Sequence, residues 1–221
     1  MTAKRSDRDS RQKILDAALD VFYEAGFDGA RVDAIAKRAG VNQALIYYYF
    51  KNKEGLFKDL LSLHIDEMIA AKKDAIGEKG IHNLERYRPD VVRNIVDQMM
   101  GVLKQKEKVF SIVLGEFFRN PGRKSGVRVS GLFLPAVEES REWMRTMGFD
   151  PEDIDRAVVA GIFFGSAPMI AYATLGEKVA DSYGIDKKSL DAVFSELIGR
   201  FSEDYVAFLK SGGKAGLSRS S

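Results

Sequence analysis

Between residues 42 and 48 the chain reads N-Q-A-L-I-Y-Y. Helical spacing puts Asn42, Gln43, Ala44, Tyr47 and Tyr48 on one face and its edges. Amides pair a donor with an acceptor and a phenol carries one of each, so this face can hydrogen-bond base edges and phosphate oxygens of a nucleic acid duplex. Gln43 is the candidate for direct base reading. The bland alternative is the solvent face of a small helical bundle. What positions these residues is the remainder of V-D-A-I-A-K-R-A-G-V-N-Q-A-L-I-Y-Y-Y-F-K-N-K-E-G-L-F, residues 32–57. Val32, Ile35, Ala36 and Ala39 recur at helical spacing, and Gly40 supplies a turn. Val41, Leu45, Ile46 and Phe50 form the apolar side of a second helix, giving the layout of a helix-turn-helix.

The run I-A-K-R-A-G-V, a short helix ending in Y-Y-F, and K-N-K-E-G-L-F resemble the DNA-binding signature of the TetR family of bacterial repressors, over roughly Arg11 to Phe57. The resemblance implies an all-α fold, with an N-terminal three-helix helix-turn-helix domain and a larger C-terminal helical domain for ligand binding and dimerisation. The corresponding division is residues 1–52, residues 53–210 and a disordered tail over 211–221. Carried onto this chain, Asn42, Gln43 and Ala44 meet base edges or nearby phosphates, and Tyr47, Tyr48 and Lys53 hold the DNA backbone in register. The family commonly has a threonine before the second helix and a glycine at the place of Ala44; here Ala30 and Arg31 precede Val32. Arg31, beside Val32, is expected to replace the missing hydroxyl with a longer charged phosphate contact. Implied partners are a palindromic double-stranded operator, a second copy of the chain and a small lipophilic effector, with no cofactor.

Composition bounds the other possibilities. The net charge is only +2, and residues 1–60 carry eleven Lys or Arg against nine Asp or Glu, so charge permits DNA binding without arguing for it. The absence of cysteine excludes disulfides and thiolate metal sites, and His64 and His82 alone make a zinc centre implausible. The polar N-terminus does not read as a secretory signal, and no run looks long enough to cross a membrane, so a cytoplasmic protein with no membrane partner is expected. Lys4, Arg5, Arg8 and Arg11 are expected to form a basic arm, either solvated or in contact with DNA.

Along the chain, a first helix is expected from Ser10 to Ala25, with Ile14, Ala18, Val21 and Phe22 on one face and Gly26 ending it. Asn52 is a candidate N-cap for a fourth helix reaching Ile76, before Gly77 and Gly80 break the pattern. Further helices are expected over Pro89–Lys104, Lys106–Arg119, Gly131–Met147, Pro151–Leu175 and Lys187–Lys210. Asp150-Pro151-Glu152-Asp153 combines a capping carboxylate with proline at the first helical position. Residues 120–128, N-P-G-R-K-S-G-V-R, read as a basic loop without Walker spacing. Pro168 is expected to kink its helix beside Gly165 and Ser166.

Met99, Leu103, Phe110, Leu114, Phe117, Phe118, Trp143, Met147, Phe164, Met169 and Tyr172 concentrate aromatic and thioether groups. Most of any such set is core, with a subset expected to line an apolar effector cavity. Residues 160–175 carry no charge, which suits a lipophilic ligand. His64 is read as a partly buried structural histidine, and Glu138, Glu139 and Glu142 as a solvated helix face. Val158, Val159, Ile162 and Phe163, with Leu190, Val193, Phe194, Leu197, Ile198, Phe201 and Val206, exceed what one intramolecular face needs and are expected to form the dimer interface. A ligand-responsive repressor therefore leads over a constitutive or architectural DNA-binding protein whose C-terminal domain only dimerises. An enzyme comes last, since no Glu-x-x-His pair, nucleotide loop or nucleophile elbow is present.

Overall fold

The computed structural model describes residues 2–76, 88–119 and 129–211, and among them every regular element is a helix. In chain order these are α1 (Thr2–Gly29), α2 (Val32–Ala39), α3 (Gln43–Phe50), α4 (Lys53–Ile76), α5 (Pro89–Gln105), α6 (Glu107–Arg119), α7 (Val129–Thr146), α8 (Pro151–Ala160), a π-helical segment (Gly161–Ser166), α9 (Ala167–Tyr183) and α10 (Lys187–Lys210). The expected breaks at Gly77 and Gly80, the loop at 120–128, the tail beyond Ser211 and the side chain of Phe117 lie outside the described residues.

Two compact units form, residues 1–67 with 106–133, and residues 68–105 with 134–221. The division expected at residue 52 falls inside the first unit. There α1 packs on α2 and α6, and α2 on α3. Ile14, Ala18, Val21 and Phe22 are all buried, as their spacing predicts. Phe57 closes the core edge-on to Phe22 and tilted against Phe27, each at a centroid distance of 4.9 Å. Gly26 sits at φ 68° and interrupts α1, so the expected stop is a break within a helix that resumes to Gly29. Residues 2–9, expected as an arm, continue α1 instead. In the turn just before α6, Lys106 binds Glu67 and approaches Nδ1 of His64 at 3.2 Å, making His64 part of a structural cluster. The Lys106 ammonium holds the Glu67 carboxyl below its ordinary range.

In the second unit α5 packs on α9 and α10, and α8 and the π-helical segment pack on α10. Met144, Phe149, Ile154 and Ala157 form a small core, flanked by Trp143, Val158, Tyr205, Phe208 and Leu209. Glu138, Glu139 and Glu142 are exposed and pair with Arg141, Lys73 and Arg145. Asp150 occupies the N-cap of α8 with extended backbone, but its side chain makes no capping bond, so only the proline and the acidic first turn act as expected.

Pro168 does not end its helix. Proline lacks the N–H that would bond the carbonyl of Phe164, and the preceding turn widens to a π-helix in which Ala167 N–H reaches back to Ile162 O. Tyr205 Oη donates to Ala157 O at 3.1 Å just before the wide turn, and a Cβ on Gly161 would stand 3.0 Å from that hydroxyl. The result is one helical run, Pro151–Tyr183, of 33 residues, with mean hydropathy 1.7 over its most apolar window and only 6% of that window buried. This corrects the expectation that no run reaches membrane-spanning length. By length and composition one does, because the helix continues through the proline.

Candidate nucleic-acid interface

Backbone chemistry holds α3 at both ends. At its entry, Gly40 adopts the left-handed conformation (φ 66°, ψ 33°). Val41 N–H bonds Ala36 O at 3.0 Å and Gly40 N–H bonds Lys37 O at 3.3 Å, a Schellman closure of α2 that aims the chain into α3. Asn42 is the N-cap, its Oδ1 accepting from Ala44 N–H at 2.8 Å. At the exit, Lys51 is the one described non-glycine residue with positive φ, 64°, and Asn52 N–H bonds Phe50 O at 2.7 Å across it, a γ-turn. Asn52 then caps α4 by accepting from Gly55 N–H at 2.7 Å, as expected. Gly55 is required by contact, since a Cβ there would fall 2.2 Å from Phe50 O. A helix of eight residues is marginal by itself, and these closures with buried Ile46 and Phe50 keep it in place.

The outward face of α3 matches the expected one. Gln43 and Ala44 are exposed, Tyr47 is 45% exposed and Tyr48 76%. Gln43 Nε2 donates to Tyr47 Oη at 3.4 Å, one turn along the helix. Arg31 is extended and exposed at the N-cap of α2, makes no capping bond and lies 3.2 Å from Asp33, whose Oδ1 accepts Ala34 N–H instead. Val32 is half-buried beside it.

Two of these residues carry structural work that pattern reading missed. Asn42 caps α3, and that cap commits one lone pair of its Oδ1. Lys53 sends its ammonium to Phe27 O at 2.9 Å, Ala30 O at 3.0 Å and Asp28 O at 3.5 Å, and lies 4.7 Å from the Phe27 ring centre. Three donors meet three carbonyls, closing the end of α1; a phosphate at Lys53 would have to compete with them. Glu116 of α6 accepts Phe27 N–H at 3.3 Å, the donor left by the break at Gly26. An asparagine directly ahead of Q-A-L is a readable capping signal, whereas nothing local announces contacts from Lys53 or Glu116 across 26 and 89 residues.

The expected effector-lining residues do not converge in one unit. Phe110, Leu114 and Phe118 belong to the first, where Phe110 is core and Phe118 is 75% exposed. Met99, Leu103, Trp143, Met147, Phe164, Met169 and Tyr172 belong to the second. Of these Leu103 is buried, Met147 and Phe164 are exposed, and Met99, Trp143, Met169 and Tyr172 are half-buried. Tyr172 stacks on Phe194 with centroids 3.9 Å apart and donates its hydroxyl to Asp191. Burial, and then that carboxylate, raise the phenol's pKa, while Lys187 (2.8 Å) and then Tyr172 pull Asp191 down to about 2. Trp143 Nε1 is buried without an acceptor among the described residues. A cleft of about 190 Å³ between α5 and α10 is lined by Arg93, Val96, Asp97, Ser195, Glu196 and Gly199, none of them on the expected list.

A two-turn helix presented by a Schellman turn, with amides and phenols outward, defines a helix-turn-helix DNA-binding protein. Residues 14–60 match the bacterial regulatory proteins of the tetR family. The chain is 29% identical over 192 residues to the uncharacterized HTH-type transcriptional regulator YdeS of Bacillus subtilis, covering 83% of this chain and 89% of that one. It is 43% identical over 74 residues to the HTH-type transcriptional regulator RutR of Escherichia coli, covering 33% of this chain and 35% of RutR. The fold matches the crystal structure of a TetR-like transcriptional regulator from Rhodococcus sp. RHA1, with a TM-score of 0.58, 17% identity and coverage of 92% and 96%. The chain carries a tetR-family DNA-binding helix-turn-helix over residues 14–60 and is similar to HTH-type transcriptional regulators along most of its length.

Proposed function

We propose that the protein is a homodimeric cytoplasmic repressor, released from a palindromic operator when a small lipophilic ligand binds. The observation that carries the dimer is the uncovered apolar face of the second unit. Val159, Ile162 and Phe163 of the Pro151–Tyr183 run and Val193 and Leu197 of α10 are exposed, the last three by 65%, 54% and 62%. Exposed apolar area on this scale marks a surface that another copy covers. Phe164, Leu175 and Val179 extend the patch. Of the remaining expected residues, Ile198 is buried, and Val158, Leu190, Phe194, Phe201 and Val206 are half-buried. A palindromic operator would take two α3 helices on successive major-groove turns, about 34 Å apart or a near multiple.

In this reading residues 1–52 hold DNA through Arg31, Val32, Asn42, Gln43, Ala44, Tyr47, Tyr48 and Lys53, and residues 53–210 bind effector and dimerise. The half-buried Met99, Trp143, Met169 and Tyr172 supply apolar contact area, and Trp143 Nε1 favours a ligand with a hydrogen-bond acceptor. A ligand that prefers the state with misplaced reading heads weakens DNA binding by the same coupling energy. The spread of the expected cavity residues over both units favours, as a second reading, a regulator whose second unit only dimerises.

The test is a thermal-shift screen of lipophilic acids, amides and ketones on the full chain, followed by titration of each hit into the protein–operator complex. The repressor reading expects a hit that raises Tm and releases DNA. Hits that raise Tm yet leave DNA affinity unchanged would sink the release mechanism, and operator binding without any hit would leave the second reading standing.

A further inference from the structure

We propose that the wide turn at Gly161–Ser166 sets the phase of the Pro151–Tyr183 helix, so that Leu175 and Val179 face a second copy of the chain together with Val159, Ile162 and Phe163. The inference rests on a second copy covering that face. It goes beyond that reading by assigning one side of α9 to the partner, the other to α10, and the division between them to the π-turn.

The phase can be counted. Ala157 is buried in the small core that Tyr205, Phe208 and Leu209 of α10 flank, and Gly161, four residues on, meets the Tyr205 hydroxyl. This side of the helix therefore faces α10. Eighteen residues separate Ala157 from Leu175, about five turns of an α-helix, so an unbroken helix would turn Leu175 and then Val179 towards α10 as well. They are instead 48% and 37% exposed, and the residues one step further on, Gly176 and Ala180, are buried. Gly176 takes the α10 side: Tyr172 stacks on Phe194 of α10, and a Cβ on Gly176 would stand 3.2 Å from the Tyr172 ring. The slip of one residue arises between the two stretches. Ala167 N–H reaches back five residues to Ile162 O, where an α-turn reaches four, so the turn absorbs one residue and sets the helix beyond it back by about 100°. Val159 and Leu175 then stand about 60° apart around the axis, where an unbroken helix would hold them about 160° apart.

Side-chain size shows what the slip achieves. Without it Gly176 and Ala180 would point outward and offer a partner little to hold, while Leu175 and Val179 would crowd the place where Tyr172 meets Phe194. With it the small residues admit that close stack, and the branched ones join the open patch. No charged residue occurs from Ala157 to Gly176, so a two-fold axis can set this stretch beside its own copy without like-charge contact. With Val193 and Leu197 of α10, the apolar surface left open in one copy is on the order of 800 Å², one partner's share of a standard interface.

Because the chain has no cysteine, a single introduced thiol reports its own position. Val159→Cys, Leu175→Cys, Val179→Cys and Ala180→Cys are made in the full chain, with Arg88→Cys, exposed ahead of α5, as reference. Alkylation by iodoacetamide is timed from nanomolar to high-micromolar protein, with mass followed by light scattering. The expected result is that the rates at 159, 175 and 179 fall about tenfold or more as the dimer forms, that the reference rate stays constant, and that Ala180→Cys is slow throughout. Two further variants move the phase itself. An alanine inserted after Ser166 is expected to give a monomer of unchanged helix content. Deletion of Ser166 with Pro168→Ala, which closes the wide turn to an α-turn and keeps both flanks in phase, is expected to remain dimeric. A dimer that protects Val159→Cys but leaves Leu175→Cys and Val179→Cys reacting at their monomer rates overturns the inference. So does a dimer undiminished by the inserted alanine, or a folded monomer after the deletion. Should the inserted alanine prevent folding, the cysteine rates decide alone. A wild type that stays monomeric at every concentration overturns the dimer reading itself.

Discussion

The two units bury apolar side chains to very different degrees. In the first, Ile14, Leu15, Phe22, Ile35, Ile46, Leu56, Phe57 and Leu60 are each at most 2% exposed. In the second, the most apolar helix carries Val159, Ile162, Phe163 and Phe164 between 40% and 65% exposed. Hydropathy alone would assign the deeper core to the second helix set. The reading head satisfies its apolar groups within one chain because it must present an invariant surface to DNA. The long helices leave theirs open, which is expected where the remaining burial comes from another copy.

The largest test of that contrast is Phe57→Ala. Phe57 is 2% exposed between two aromatic rings, and its truncation should cost about 3–5 kcal/mol in denaturant unfolding. A cost below about 1 kcal/mol would mean the first core is loosely held. Next, Phe163→Glu with Leu197→Glu should halve the mass measured by light scattering. Operator affinity should fall about 100-fold or more, because each reading head then binds singly. An unchanged mass would move the dimer face elsewhere. The smallest effect belongs to the polar cluster that joins α9 to α10. Asp191 is lowered from 3.8 to about 2, so its ion pair stabilises the fold above about pH 4 and loses that contribution as pH falls towards 2. The carboxylate is 39% exposed, so Asp191→Asn should cost about 1 kcal/mol or less near neutrality, with the difference from wild type vanishing towards pH 2 in a urea series. A difference that grew on acidification would contradict the pairing.

Local patterns carried most of the reading head. The helices at residues 32–39 and 43–50, the glycine turn between them and the exposed amide face all follow from a 3.6-residue period over two turns. Helix α10 begins and ends where its apolar period says, at Lys187 and Lys210. What escaped notice depends on groups distant in the chain or on geometry that a residue type does not announce. Lys53 looks like any basic residue at a helix start, and only the folded chain brings its ammonium to three carbonyls. Pro168 signals disturbance, but a kink and a π-turn are alternative answers to one missing N–H, and packing against α10 favours the latter. The aromatic and thioether residues of the helical region were legible as apolar. Their distribution over two units was not, since periodicity tells which face is apolar and says nothing of which neighbour meets it.

By itself the sequence determined the helices, the turn at Gly40 and the chemistry offered by Gln43 and Tyr47, because hydrogen bonds and side-chain spacing within a helix are local. Tertiary structure decided that Lys53 closes the end of α1 and that the apolar faces of Pro151–Tyr183 and α10 stay open. Those outcomes depend on which donors and apolar surfaces meet across long separations, and many pairings compatible with the same local pattern compete until the chain packs.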